Sequence, residues 1–475
     1  MVRNVLVHGR GLVDVGVRGG VIGMIEPVAR TPGRRLTGHS VVDGDGALMV
    51  PGLHDHHIHL LALAAALDSV PCGPPQHQGS DSLRAALRRA AAECSVGWLR
   101  GIGYHESVAG DIDRDWIDAV VDRVPVRIQH RSGRLWVLNS RALALLGAGA
   151  DGDSPLERRA GRLTGRLYDA DAWLRQRIGG DLPRLRRASE VLARRGVSGV
   201  TDAGADNGPR EFAHFAAQQA CGDLRQDVLV MGSAALAAVD AAADRPCAAH
   251  AQASVGPTKL YLREIALPAF DEFCADIRRS HASGRAVAIH CVTLAELVFA
   301  IEAVRSSGVE PGDRIEHASL CTPQAIGMLR DAGLRVVTQP HFVFERGDAY
   351  LAELDADEVG WLYRGRSFVD AGVALAAGSD APYGDADPWR AMAAAVQRRS
   401  RGGRDIGAHE ALSPQQALAL FLGDPWRPGE GVPEIAAGTR ADLCLLDRSR
   451  AEMAADFSTV AVRMTLRRGE PIWVA

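Results

Sequence analysis

The chain has 475 residues, more than one ordinary hydrophobic core can organise, which implies two or three domains or subdomains. Its 47% hydrophobic and 24% charged residues describe a globular protein and exclude a disordered one. The formal net charge of −4 offers no basic surface, so nucleic acid and anionic membrane are excluded as first partners and a small molecule is expected.

The N-terminal stretch MVRNVLVHGRGLVDVGVRGG carries charge where a signal peptide needs a continuous apolar run, and no later run spans a membrane free of charge. A cytoplasmic protein is expected. Over the first fifty residues the short apolar segments VLVHG, LVDVGV, VIGMIE and ALMV alternate with glycine and predict an antiparallel β layer. The C-terminal segments ADLCLLD, VAVRMTLRRG and PIWVA repeat the style. Neither end has enough strands to bury a core alone, so residues 1–50 and 426–475 are expected to form one small β-sandwich. The eight cysteines are scattered without a CxxC pair, which suits reduced thiols.

Between the ends, short apolar segments alternate with amphipathic helical stretches such as LAELVFAIEAVRSSG and CTPQAIGMLRDAG. Strands are expected at 46–55, 197–204, 226–232, 257–262, 286–291, 314–319, 334–340 and 373–380. Eight β-then-α units predict an α/β fold of the (β/α)8 barrel type over 51–60 and 191–425, with its site at the C-terminal strand ends. Residues 61–190, after the first strand, are too long for a βα connection and contain a strand of their own, VPVRIQH. They are expected to be an inserted subdomain near the active-site mouth, helping to choose the substrate.

The expected strand ends collect the chemistry. In PGLHDHHIHL, alternation puts His57 and His59 on one face and His54 and His56 on the other, and spacing alone leaves the choice between the pairs open. Lys259 in PTKLYL is the single lysine among 54 lysines and arginines. A primary amine can become a carbamate or a Schiff base, which a guanidinium cannot. His290 closes AVAIHC, His317 lies in RIEHAS and Asp380 ends VALAAGSD. A lone strand-end histidine is usually a hydrogen-bonded core residue, but five such coincidences at one rim point to a metal site.

With these motifs, GVSGVTDAG and the closing GTRADLCLLD, the chain resembles the amidohydrolase superfamily, specifically the family 3 branch of YtcJ-like and N-substituted-formamide-deformylase-like proteins. The resemblance implies that His57 and His59 bind one metal, His290 and His317 a second, and carboxylated Lys259 bridges two zinc ions, with a mononuclear site as the variant. Asp380 would bind the first metal and act as general acid and base for a metal-activated hydroxide that cleaves an amide, cyclic amide or N-acyl C–N bond. The same site could serve lactone or ester hydrolysis or deamination of a heterocyclic amine, and a catalytically idle binding barrel is the reading from another class. The chain departs from the branch after the lysine: KLYLREIALPAF replaces a longer loop, and His290 follows after 290 − 259 = 31 residues. Arg134 and Asp169 stand where relatives often have histidine and glutamate. They, with His105 and His341, are candidate substrate contacts, and the stretches 342–351 and 361–366 are candidate rim loops. Cys291 is expected to be a small core residue. The outer helices leave a homodimer open.

Overall fold

A computed structural model describes residues 1–28, 41–93, 97–147, 154–179, 182–242 and 253–475. They form two compact units, one of Met1–Leu60 with Arg184–Ala475 and one of Leu61–Pro183. Among the described residues no helix is long and apolar enough to cross a membrane. The six described cysteines are all free, and Cys94 and Cys247 lie outside the described residues.

The first unit contains eight strands paired side by side in chain order: β1 Leu53–Ile58, β2 Val197–Asp202, β3 Asp227–Gly232, β4 Ala253–Tyr261, β5 Val287–Cys291, β6 Arg314–His317, β7 Arg335–Thr338 and β8 Leu375–Ala377. Every pairing is parallel. The strands are mostly buried on both faces, as a parallel sheet covered by helices requires, and β1 (LHDHHI) and β6 (RIEH) bury mainly polar side chains. Helices follow the strands, among them α1 Phe270–Ala282 after β4 and α2 Leu294–Ser307 after β5. Helix α2 begins with a capping box in which Thr293 and Glu296 satisfy each other's backbone donors.

The barrel closes just beyond its last strand. Asp380 N donates to His57 O (2.7 Å) and His59 N donates to Ala381 O (3.0 Å), which ties the segment after β8 to the end of β1. Glycine is needed for this approach, because a Cβ on Gly378 would lie 2.3 Å from His57 N.

The expected first strand, 46–55, divides in two. Leu48–Pro51 pairs with Leu443–Leu446 in a sheet built from the two chain ends, and β1 starts only at Leu53. The break falls at Gly52, whose N donates to Asp442 O (2.8 Å) and where a Cβ would lie 2.3 Å from Ser198 Oγ. The terminal sheet is one hydrogen-bonded array in the order Glu470–Val474, Val462–Arg467, Leu443–Leu446, Leu48–Pro51, Val2–Val7, Gly11–Arg18, Val21–Pro27, with Val42–Asp43 beside Val2–Val7. Val5, Val13, Val15, Met49, Leu443, Leu445, Met464 and Leu466 share its core, so both chain ends contribute to one apolar layer.

The second unit holds a six-stranded sheet, in which VPVRIQH supplies Val126–His130. This unit ends at Pro183, short of the expected 190, and helix Arg186–Arg194 belongs to the barrel unit. There Ala188, Leu192 and Ala193 are buried, and Thr465 Oγ1 donates to Ala193 O (2.7 Å).

Gly378→Ala forces a methyl group against the His57 backbone, an overpacking that costs about 1–3 kcal/mol. A lower urea midpoint than that of the unsubstituted protein is the expected result.

Candidate metal centre

Along β1 the side chains alternate, and the structure separates the two histidine pairs. His54 bonds through Nε2 to Thr201 Oγ1 (2.9 Å), and His56 is fully buried. Burial pushes His54 well down and His56 down to about 3, so both are neutral core residues. On the other face, His57 Nε2 lies 3.5 Å and His59 Nε2 3.2 Å from Asp380 Oδ1. One donor atom from each of these three residues lies within 4.8 Å of the other two.

The remaining histidines continue from there. The ring centroids of His59 and His57 are 5.4 Å apart, those of His57 and His317 4.8 Å, and those of His317 and His290 4.5 Å. Burial, then the charge of His57, brings His317 down to about 3; burial and His317 likewise depress His290 strongly. Neutral imidazoles with open nitrogens are what a divalent cation binds.

Lys259 enters the same space. Its neighbour Thr258 faces the helix layer, where Ser280 Oγ donates to Thr258 Oγ1 (2.7 Å), so alternation turns Lys259 into the barrel. Its side chain is buried, and Nζ has no hydrogen-bond partner among the described residues. Burial lowers its pKa against the opposing pull of Glu316. An orphaned buried amine beside convergent imidazoles and a carboxylate fits a metal centre and is costly without one.

Several groups hold this set in place. Glu316 bridges His57 Nδ1 and Arg314, whose Nε donates to Oε1 at 2.7 Å, and all three side chains are buried. Burial opposes ionisation of Glu316, yet Arg314 and Lys259 keep it well below the usual carboxylate range. Burial and Lys259 push His57 down, but the carboxylates of Glu316 and Asp380 outweigh them and raise it. Burial also opposes ionisation of Asp380, and hydrogen bonds from His57 and His59 hold it well below the usual range. His317 Nδ1 bonds to Gln339 Oε1 (2.7 Å), leaving Nε2 open. Asp55 Oδ1 accepts from Ser379 N (2.9 Å) and His57 N (3.2 Å), and burial raises its pKa to about 6. Glu316, Gln339 and Asp55 are absent from the sequence-based set. For Glu316 a signal existed: in RIEH, Arg314 and Glu316 are two residues apart on a strand buried on both faces, so they can only pair inward.

Two members of the centre have left-handed backbones, His317 at φ 71° and Asp380 at φ 51°, with Ala318 at φ 45°. Such residues persist where surrounding structure overdetermines them, and they cluster at functional sites. At His317 the break brings the imidazole back toward the barrel interior directly after inward-facing Glu316.

The expected substrate contacts have the following local surroundings. His341 is buried and its Nε2 donates to Ser379 O (2.9 Å), one residue before Asp380. Arg134 and Asp169 pair with each other in the second unit, Nε to Oδ1 at 2.8 Å and Nη2 to Oδ2 at 2.5 Å, and both are exposed. His105, in the same unit, caps the short helix Glu106–Ala109 and accepts from Ser107 N (3.3 Å). Cys291 is buried with its Sγ toward Glu296 O (3.6 Å), as a core thiol. A cavity of about 700 Å³ lies beneath the terminal sheet, against Val7, Val50, Leu418 and Met453; no histidine of the row lines it.

A parallel eight-stranded barrel with a His–His–Asp group at the C-terminal ends of its strands defines a metal-dependent hydrolase. The sequence pattern of the amidohydrolase family matches residues 40–473, and the chain belongs to that family, the hydrolases of carbon–nitrogen bonds. An N-substituted formamide deformylase from Arthrobacter pascens is 28% identical over 503 aligned positions, covering 92% of this chain and 90% of the relative. The protein LONG AFTER FAR-RED 3 of Arabidopsis thaliana is 23% identical over 440 positions, covering 81% and 74%. Among solved structures, an uncharacterized metal-dependent hydrolase from Pyrococcus horikoshii OT3 superposes with a TM-score of 0.77 at 20% identity, covering 99% of both chains.

Glu316→Gln removes the charge that orients His57, and outer-shell losses of this kind weaken metal binding by about 10–100-fold. Competition against a calibrated chelator measures that loss without any substrate.

Proposed function

We propose that this amidohydrolase cleaves the C–N bond of an amide, cyclic amide or N-acyl small molecule at a dinuclear centre, with zinc as the expected metal. The observation that carries the reading is the buried, unpartnered Nζ of Lys259 among His57, His290, His317, Glu316 and Asp380. His57, His59 and Asp380 would hold one ion, and His290 and His317 the other. Lys259 Nζ would add to carbon dioxide and lose a proton, and the resulting carbamate would provide an anionic bridge with two oxygens. The deformylase named among the relatives supports N-acyl compounds, formamides included, within the substrate range.

When bound, the metal supplies Lewis acidity that polarises the scissile carbonyl and acidifies water. The protein's own residues supply orientation and proton transfer. Asp380, held ionised between two histidines, accepts a proton from the attacking water and returns it to the leaving nitrogen. Glu316 and Gln339 fix the ring orientations of His57 and His317, so the open Nε2 of each faces the centre. Burial of His57, Lys259, Glu316, His317 and Asp380 limits competition from bulk water, while His59 and His290 are partly exposed.

Metal analysis after zinc loading should find two ions per chain in the unsubstituted protein and one or none in Lys259→Ala, whose amidase activity should collapse. Bicarbonate added during zinc loading of the metal-depleted enzyme should speed recovery. Full amidase activity in Lys259→Ala would sink the bridge. Asp380→Asn should lower kcat on an N-formyl amine by about 10²–10⁴-fold.

A further inference from the structure

Strand β4 does not turn away after Lys259. Thr258 faces the helix layer and Leu262 is buried, while Tyr261 and Arg263 are exposed. Arg263 keeps extended angles, φ −136° and ψ 123°, so alternation puts Lys259, Tyr261 and Arg263 in one line from the barrel interior to its rim. The Tyr261 ring is 52% exposed and stacks on His290, with centroids 4.1 Å apart and planes at 21°. The Arg263 guanidinium carbon lies 5.4 Å from the centre of that same ring.

Arg263 has no carboxylate partner among the described residues. That distinguishes it from the many arginines here that are paired with acids, including Arg134 with Asp169 and Arg314 with Glu316. The loop that carries it is also braced. Glu264 N donates to Glu296 Oε1 (2.9 Å), and the other oxygen of this buried carboxylate accepts from Val292 N (2.7 Å) and Thr293 N (3.1 Å), just after His290. The residue after Arg263 is thereby fixed to the strand end that carries His290. A cation beside an aromatic ring, on a braced loop and with no carboxylate partner among the described residues, is suited to a planar carboxylate that arrives from solvent.

We propose that Tyr261 and Arg263 form a carboxylate-recognition shelf beside the metal centre, so that the preferred substrates are amides carrying a carboxylate beyond an aromatic or similarly flat spacer. The spacer lies on Tyr261 and the carboxylate meets Arg263 while the amide reaches the row of histidines. This rests on the amide-hydrolysis reading above. The chemical class is N-acyl aminoaryl carboxylates and N-acyl aromatic amino acids, as opposed to neutral N-substituted amides.

The test compares 4-formamidobenzoate with its neutral counterpart N-(4-methylphenyl)formamide in the zinc-loaded full-length protein. The unsubstituted enzyme should favour the carboxylate by about tenfold or more in kcat/KM, the order of one charge-assisted contact. Arg263→Gln should abolish that preference, chiefly through a higher KM for 4-formamidobenzoate. Tyr261→Leu should do the same, and Tyr261→Phe, which keeps the ring, should preserve it. An equal effect of Arg263→Gln on both compounds, or on neither, overturns the shelf while leaving amide hydrolysis standing. Calorimetric binding of unreactive 4-methylbenzoate tests it without turnover: Arg263→Gln should weaken binding by about tenfold, and unchanged affinity overturns the proposal even if neither formamide is hydrolysed.

Discussion

Two backbone hydrogen bonds, from Asp380 N to His57 O and from His59 N to Ala381 O, hold the centre together. They join the ends of the first and last barrel strands. Without that closure, His57 in β1, His59 just after it and the aspartate after β8 would have no common point. Asp55 adds a third tie by accepting from Ser379 N across 324 positions of chain. Loop-closure entropy grows only with the logarithm of length, so the intervening chain, inserted unit included, adds little to the penalty of bringing these ends together. The steric condition is stricter: Gly378 has no room for a Cβ beside His57.

Within the closed barrel, charge determines what can remain buried. Arg314, Glu316 and His57 form a chain of fully buried partners, an arrangement that is weak evidence for stability because desolvation offsets most of the attraction. Its consequence is directional. Glu316 fixes which nitrogen of His57 faces Asp380, and Gln339 does the same for His317. Lys259 stands in the same interior without such a partner. Among the described residues Arg314 and Glu316 pair with each other while the buried Lys259 amine has no hydrogen-bond partner, and this contrast is what the carbamate proposal rests on.

Much of this arrangement was legible in the sequence. Each of the eight barrel strands overlaps a segment marked by apolar runs, and the order is the expected one, because buried parallel strands carry a strong local signal. The start of β1 was misplaced because both the strand of the terminal sheet and β1 are apolar, and only the crowding at Gly52 separates them. The strand-end histidines, Lys259 and Asp380 were visible as residue types at the correct ends. Glu316, Gln339 and Asp55 were not, since their roles come from tertiary pairing between strands. The pairing of Arg134 with Asp169 was likewise not legible, since it comes from hairpin register in the second unit, which brings together two residues 35 positions apart.

The connection after β4 stood out in the sequence only as a shortened loop. In three dimensions its brevity has a physical basis. A one-turn 3₁₀ helix, Glu264–Ala266, spans the gap to α1, and buried Glu296 uses both oxygens to anchor the loop and the start of α2 together. A longer loop would be free to fold over the strand end; this one holds the chain extended past Tyr261. The departure from the branch pattern therefore changes what the rim presents. Here the backbone after Arg263 is tied to Glu296, and the rim presents the Tyr261 ring stacked on His290 with the Arg263 guanidinium beside it.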